Sequence, residues 1–398
     1  MNSIVNFNRL NPAKSSMVKW PPVNSDDEKS LLEAFRSGKW GRVPGGVVEE
    51  FEREFSRYHE AKYAVAVTSG TAGLFLSYLA VGLNEGDYFA LPAYTFIATA
   101  TAGVLLRAVP VFIDIDAETL NISVDSLKAI LEQDKDNKIK LIVPVHFSGI
   151  PAELDGVINE ARRHGAKVIE DAAQAHGAVY KGRKVGAIGD AGVFSFQSSK
   201  NMTAGEGGVI VTNDYETYIR AWSYHNAGRE INGEWYMHML IGWNFRMTEL
   251  QAAILLSQLK RYDDEFKVRE RNARLLYEIL EGVEDFRPIK PPDYVSSSNH
   301  LLPIWISSRL INQYGKARIV NEVNKRGGVI VEGYPMPLYR QPAFREAYWK
   351  LPDYSRLNLP VTEDACRRVV WVPQHVLLSE DETRRTAEAL IKVSKELK

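Results

Sequence analysis

A single cysteine among 398 residues, Cys366, excludes an intrachain disulfide and any metal centre built from several thiolates. Between Ala365 and Arg367 it reads as a packed thiol rather than a nucleophile. The eight histidines show no His-x-x-x-His or His-x-His spacing with a matching carboxylate, so no metal is expected. Net charge is nearly absent too: 49 basic against 50 acidic residues leave -1, which offers no field to attract nucleic acid or an anionic membrane. No apolar run approaches transmembrane length, and the first 20 residues lack the apolar stretch of a signal peptide. A cytoplasmic location is the expectation. No Gly-x-Gly-x-x-Gly or P-loop pattern follows a strand, which argues against a nucleotide cofactor but leaves a nucleotide-linked substrate open.

What is present is an alternation. Residues 26–58 read as mostly helical and polar, interrupted at Gly45-Gly46. From Tyr63 onward, short apolar segments at 63–68, 88–92, 109–114, 140–146, 167–170, 191–196 and 208–212 predict strands. Helical patterns at 72–83, 97–106, 124–133 and 153–164 lie between them. That order predicts an α/β fold with a largely parallel sheet covered on both faces. A long helical pattern from Met247 to about Glu281 follows, then strands at 300–306 and 328–331, a helix at 316–326 and a terminal helix from Glu380. This second texture predicts a smaller α+β unit. The expected division is 1–260 for the N-terminal segment and large domain, and 261–398 for the small domain.

Three segments carry chemistry. Thr68-Ser69-Gly70-Thr71-Ala72-Gly73 leaves the first strand and opens a helix, where exposed N–H groups favour an anion such as phosphate. The same residues also make an ordinary helix cap. Glu170-Asp171 ends a strand whose neighbours should be buried, before Ala172-Ala173-Gln174-Ala175-His176-Gly177. Either Asp171 caps a helix with Glu170 facing water, or Asp171 meets a protonated ring nitrogen. Finally, Phe194-Ser195-Phe196-Gln197-Ser198-Ser199-Lys200 runs into a glycine-rich turn ending Gly205-Glu206-Gly207-Gly208. Lys200 is either a solvated loop lysine or an amine aimed inward, where burial lowers its pKa and fits it for Schiff-base chemistry. Ser195, Ser198 and Ser199 would then bond a phosphate or merely satisfy a turn. The sequon at Asn201-Met202-Thr203 lies beside this lysine, an odd place for a glycan. An anion cradle, an acid at a strand end and a lysine before a Gly-rich turn, in that order, form the set a pyridoxal-phosphate site needs.

These segments resemble the DegT/DnrJ/EryC1/StrS family of sugar aminotransferases, fold-type I enzymes that use pyridoxal phosphate. The resemblance runs from about Trp40 to His375 and is carried further by Pro92-Ala93-Tyr94-Thr95-Phe96 and Asn244-Phe245-Arg246-Met247. It implies a large domain with a mostly parallel seven-stranded sheet and a homodimer with shared active sites. It also implies that Lys200 holds the cofactor as an imine and shuttles the proton, with Asp171 on the pyridine nitrogen and Gln174 near the phenolic oxygen. By the same resemblance Phe96 stacks on the cofactor face, Gly70, Thr71, Ala72 and Ser195 surround the phosphate, and Asn244 reaches the phosphate of the partner subunit.

Further residues have less defined places. Tyr94, His176, Glu206, Arg246, His300 and Tyr339 are candidates for substrate contact, and Trp40 and His225 for the same wall. His146 and His176 lie beside strand ends, where each is either near the cofactor or held by backbone contacts. Arg246 is either a carboxylate or phosphate clamp or an ion pair at a subunit interface. The amino donor implied is glutamate or glutamine and the acceptor a keto sugar. Gln197, Trp40 and Trp20-Pro21 also resemble the branch of inosose aminotransferases and aminohydroxybenzoate synthases, which makes a cyclitol ketone the alternative. In the related sugar dehydratases histidine replaces the lysine, and Lys200 argues against that class. A ligand-sensing regulator without turnover would be expected to have lost the lysine or the acid.

Overall fold

The computed structural model describes residues 19–42, 46–347 and 349–397. Seven apolar segments, buried along nearly their whole length, form the central sheet: β1 (Tyr63–Val67), β2 (Tyr88–Pro92), β3 (Val109–Ile113), β4 (Ile139–Ile142), β5 (Lys167–Asp171), β6 (Ala191–Ser195) and β7 (Gly208–Thr212). Their order is β1-β7-β6-β5-β4-β2-β3. β7 runs antiparallel to both of its neighbours, and every other pair is parallel. The sheet is therefore mostly parallel and seven-stranded, as the alternation of short apolar and longer helical segments predicts.

One strand is shorter than its apolar pattern. β4 ends at Ile142 rather than continuing to residue 146. Pro144 has no N–H to give to a ladder, so pairing lapses and resumes as an isolated bridge between Val145 and Asp171. There Pro144 accepts from Asp171 N at 2.9 Å, and Asp171 O accepts from His146 N at 3.0 Å. This irregular stitch fixes the end of β5, where the acid lies.

Helices Gly70–Ala80, Ala98–Leu105, Val124–Leu131 and Leu154–His164 follow the expected pattern within a few residues. The polar stretch before the sheet is two helices, Ser25–Arg36 and Val47–Tyr58. Gly46 precedes the second of these, and Gly45 lies outside the described residues. Helix Tyr215–His225 was not expected from the sequence; Asp214 caps it by accepting from Thr217 N. Phe51 and Phe55 from the Val47–Tyr58 helix pack edge-on against Phe194 and Phe196, placing a block of aromatic rings beneath the end of β6.

Helix Glu249–Ile279 starts with a reciprocal cap between Thr248 and Gln251. Its first half packs into the core beside β6 and β7 through Ala252, Leu255 and Tyr262; its second half, with Ala273 and Leu276, enters a separate core. That core belongs to a second sheet, β8 (Phe286–Pro288), β9 (Leu301–Ile306), β10 (Val331–Glu332) and β11 (Val369–Pro373), ordered β8-β9-β11-β10 and antiparallel throughout. The expected division at 260/261 falls inside the long helix. β10 starts at Val331 instead of 328, because Gly327 has a left-handed φ of 87° and keeps the chain turning. β8 and β11 escape sequence reading: β8 is three residues long, and β11 follows helix Pro360–Arg368 without a glycine or proline break.

Candidate active site

The parallel strands all deliver residues to one edge of the sheet, the edge at which open α/β sheets place their ligands. β1 leads into Ser69 and the Gly70–Ala80 helix, β2 into Thr95 and Phe96, β5 ends on Asp171 and β6 on Ser195. Ser69 caps its helix by accepting from Ala72 N at 3.1 Å. Gly70 and Thr71 N–H groups stay without an intrahelical acceptor, as at any helix start. Close packing explains the glycines here. A Cβ on Gly70 would stand 2.8 Å from Ser195 Cβ, and one on Gly208 would stand 2.5 Å from the Ser69 backbone. The result is a small-residue cradle of free N–H groups and the Ser195 hydroxyl, suited to an anion.

Asp171 is buried, and no helix starts after it, so it is not a helix cap. Its Oδ2 accepts from Thr99 Oγ1 at 2.7 Å and its Oδ1 from Ala173 N at 3.2 Å. Burial raises its pKa, against the hydrogen bonds from Thr99 and Ala173 and the charge of Lys200. Lys200 is the opposite case. Burial lowers its amine to about 8, with Asp171 partly restoring it. The two groups feel one another across the end of the sheet.

The loop carrying Lys200 is held from several sides. Lys200 N donates to Gln197 O at 2.8 Å, and Gln197 Oε1 accepts from Ser199 N and Oγ. From the long helix, Gln258 pairs with both backbone groups of Thr203, at 2.9 and 2.7 Å. Asn201 Nδ2 reaches Ser298 O at 2.9 Å, and Trp20 Nε1 reaches Ser198 O at 2.7 Å. A loop bound this way presents its lysine at a fixed position, and burial of Asn201 and Thr203 removes the sequon from solvent.

Gln174 Oε1 accepts from Ser148 N at 2.7 Å. Its side-chain carbonyl is thus satisfied inside the protein, and the same amide also meets the hydroxyl of Tyr334. Phe96 is 60% exposed, an uncovered aromatic ring three residues before Thr99, whose hydroxyl reaches the acid. The structure therefore brings Gly70, Thr71, Ala72, Phe96, Asp171, Gln174, Ser195 and Lys200 to one sheet edge. Asn244 is exposed and lies just beyond this group: its segment pairs with the chain at Asn226, while Phe245 O accepts from Thr68 N at 2.9 Å.

The candidate substrate residues divide. Glu206 is exposed on the Gly-rich turn, and its carbonyl accepts from Gln251 Nε2 at 2.8 Å. Arg246 is half-buried and donates to Asn226 Oδ1 at 3.1 Å; burial and the neighbouring Arg229 and Arg42 lower its pKa. His300 is buried behind the lysine loop, its Nδ1 3.3 Å from Asn201 Oδ1, and burial holds it well below the ordinary histidine pKa. His176 has no open face: Phe194, Phe196 and Tyr262 surround its ring, and burial brings it down to about 3. Tyr94 is buried between Phe147 and Tyr334. Tyr339 stands apart, since its hydroxyl donates to Glu363 at 2.5 Å and its ring packs on Phe112. Of the two outer candidates, Trp40 stacks half-exposed on Phe35, and His225 is buried with its Nδ1 on Trp222 O. Cys366 is buried, its thiol pushed up to about 12.

Sequence reasoning missed Thr99 and the role of Glu170. Glu170 does not face water. It is fully buried, accepting from Gly186, Ile188 and Gly189 N–H at 2.7–2.8 Å and from His146 Nε2 at 3.0 Å. His146 Nδ1 accepts from Ala152 N, which puts the ring proton on Nε2. Burial pushes Glu170 up, but the His146 bond and the amides outweigh it and hold the carboxyl below its usual range. Its stabilisation is therefore complete above the ordinary glutamate pKa and is lost as pH falls through the lower folded value. Glu170→Ala is expected to cost about 3–5 kcal/mol at neutral pH, measured as a lower urea midpoint, because it strands three amides and an imidazole.

Among the described residues no group of three or more His, Cys, Asp or Glu could hold a metal ion, and no helix is long and apolar enough to cross a membrane. A family model described as the DegT/DnrJ/EryC1/StrS aminotransferase family matches residues 22–391. The 3-amino-5-hydroxybenzoate synthase of Amycolatopsis mediterranei is 33% identical over 93% of this chain and 95% of its own. The L-glutamine:2-deoxy-scyllo-inosose aminotransferase of Streptomyces lividus is 33% identical over 94% of this chain and 93% of its own. The GDP-perosamine synthase of Escherichia coli O157:H7 is 31% identical over 93% and 96%. Among solved structures, NtdA from Bacillus subtilis with bound cofactor PMP superposes with a TM-score of 0.82 at 27% identity, covering 96% of this chain and 86% of that one.

Proposed function

We propose, for a chain that belongs to the DegT/DnrJ/EryC1/StrS aminotransferase family, that it moves an amino group from glutamate or glutamine to the ketone of a nucleotide-linked sugar in amino-sugar biosynthesis. It is a pyridoxal-phosphate-dependent aminotransferase. The observation that carries the reading is the pairing of Lys200, its amine lowered to about 8, with the buried Asp171 at the same sheet edge as an anion cradle.

The residues present fit the cofactor. Gly70, Thr71, Ala72 and Ser195 would hold its phosphate, Phe96 would cover a ring face, Gln174 would donate to the phenolic oxygen and Asp171 would meet the ring nitrogen. The cofactor, when bound, supplies an electron sink for the charge left on the donor's α-carbon. Lys200 does the proton work: its amine, neutral in a large fraction near pH 8, takes a proton from one carbon and returns it to another. Asp171 keeps a negative charge opposite the ring nitrogen, and the buried walls around it exclude water that would screen that charge. Assay of the purified protein against a panel of keto sugars and inososes, with glutamine and glutamate as donors, tests the reading. Amine formation from keto sugars is expected, and its absence across the panel with cofactor bound would refute the acceptor class. A cyclitol acceptor is the second reading. It is favoured by the inosose aminotransferase, 33% identical over 94% of this chain against 31% over 93% for the sugar enzyme. A cytoplasmic location belongs to the proposal as well.

The proposal includes a homodimer whose sites are shared. Between helix Tyr215–His225 and Asn244, the chain exposes Trp235, Tyr236, Met237, Met239, Ile241 and Trp243, with Trp235 83% and Ile241 89% accessible. Apolar surface this concentrated is a partner's footprint, and a second copy would bring Asn244 with it. Mixing Lys200→Ala with Asn244→Asp under subunit exchange is expected to restore activity, up to about a quarter of wild type in a statistical mixture, since one site in each mixed dimer then carries neither lesion. Zero activity despite demonstrated mixed dimers would mean that Asn244 serves its own chain.

A further inference from the structure

We infer that Thr99, ordered by Thr95, is a positioning residue that sets the proton affinity of Asp171 and leaves Asp171 Oδ1 as the oxygen facing the cofactor. This rests on the reading of Asp171 as the partner of the ring nitrogen.

A threonine inside a helix ordinarily returns its hydroxyl to the carbonyl one turn back. Thr99, in the first turn of helix Ala98–Leu105, instead crosses 72 residues of sequence to donate to Asp171 Oδ2 at 2.7 Å. Its single proton is then committed, because an ionised carboxylate only accepts. Thr95 Oγ1, 3.1 Å from Thr99 Oγ1, must therefore be the donor in that contact. The result is a directed chain from Thr95 through Thr99 to Asp171 Oδ2, with all three side chains buried. Asp171 Oδ1 has only the longer contact from Ala173 N.

Position is fixed as firmly as direction. Thr99 O accepts from Tyr78 hydroxyl at 3.0 Å, and Thr99 N donates to Phe96 O at 3.2 Å. The turn that leads into this helix thus bears both the exposed ring of Phe96 and the hydroxyl that orients the acid. The titratable groups around Asp171 are Lys200, His146 and the phenols of Tyr78 and Tyr334. Apart from the Ala173 amide, Thr99 is the group that hydrogen-bonds the carboxylate itself. A donor to a carboxylate stabilises its charged form, so its loss raises the pKa.

The test uses Thr99→Val, which keeps the shape and removes the donor. In the apoenzyme, isotope-edited infrared titration with Asp171→Asn as the blank is expected to show the Asp171 midpoint moved up by about one unit or more. In the holoenzyme, the pH midpoint of the visible absorption band is expected to move upward as well. A more basic Asp171 draws the ring proton toward itself and leaves the ring less cationic. Thr99→Ser should restore both midpoints, and Thr95→Ala should shift them in the same direction by less. An unchanged Asp171 midpoint in Thr99→Val overturns the proposal, and a lower urea midpoint alongside it would make Thr99 a tie between helix and strand only. If instead Asp171→Asn leaves the visible titration of the holoenzyme unmoved, the assignment of Asp171 to the ring is what fails.

Discussion

Lys200→Ala is expected to lower turnover by about 10³-fold or more while the urea midpoint stays near that of the parent chain. Two losses combine. The amine that anchors the cofactor is gone, and so is the base and acid that moves the proton, a contribution of about 10²- to 10⁴-fold by itself. The fold should survive because the loop is tied by groups other than this side chain, among them Gln258 to Thr203, Asn201 to Ser298 and Trp20 to Ser198. Borohydride reduction of the parent holoenzyme followed by peptide mapping should place the label on Lys200; label on Lys181 or Lys184 would refute the assignment. The acidity of the amine gives a second measurement. Only a neutral amine attacks an aldehyde, so the rate of cofactor capture by the apoenzyme should rise with pH and level off above about 8. A rise continuing toward the ordinary lysine range, near 10.4, would mean that the side chain is solvated.

Asp171→Asn is expected to lower turnover by about 10²- to 10³-fold with near-normal cofactor content. The phosphate cradle of Gly70, Thr71, Ala72 and Ser195 lies on other segments and is untouched, so binding persists. What disappears is the charge that keeps the ring nitrogen protonated. The amide remains close in shape, and Thr99 can still donate to its oxygen, so stability should change little. Phosphate-dependent cofactor retention measured beside kcat separates the two effects. Equal losses in both would make Asp171 a structural acid rather than the ring's partner.

The positions of the strands along the chain were legible because each is a short apolar run bounded by glycine, proline or polar residues, and burial on both faces makes such runs nearly continuous; their order across the sheet was not. β11 was not, since no punctuation separates it from the preceding helix. At the site, Asp171 stood out as a charge at the end of a buried strand, and Lys200 as a charge between a buried strand and a Gly-rich turn, where charge needs a reason. Thr99 gave no such signal, because a threonine on an apolar helix is unremarkable until its partner 72 residues away is known. Likewise His176 and Tyr339 carry side chains suited to binding a sugar, and only packing reveals that Phe194, Phe196 and Tyr262 enclose the one and Glu363 holds the other. Glu170 misled for a related reason: three backbone amides from residues 186–189 converge on it, and backbone donors leave no trace in side-chain identity.

The ridge from Trp235 to Trp243 has a practical consequence for enzymology. If a second copy covers it and completes each site, dilution removes the covering, and specific activity becomes a function of enzyme concentration. Rates measured at nanomolar enzyme would then fall below those at micromolar enzyme by mass action alone, and added cofactor, bound best by the pair, would recover part of the loss. Turnover numbers for variants on this ridge would be comparable only at matched protein concentration.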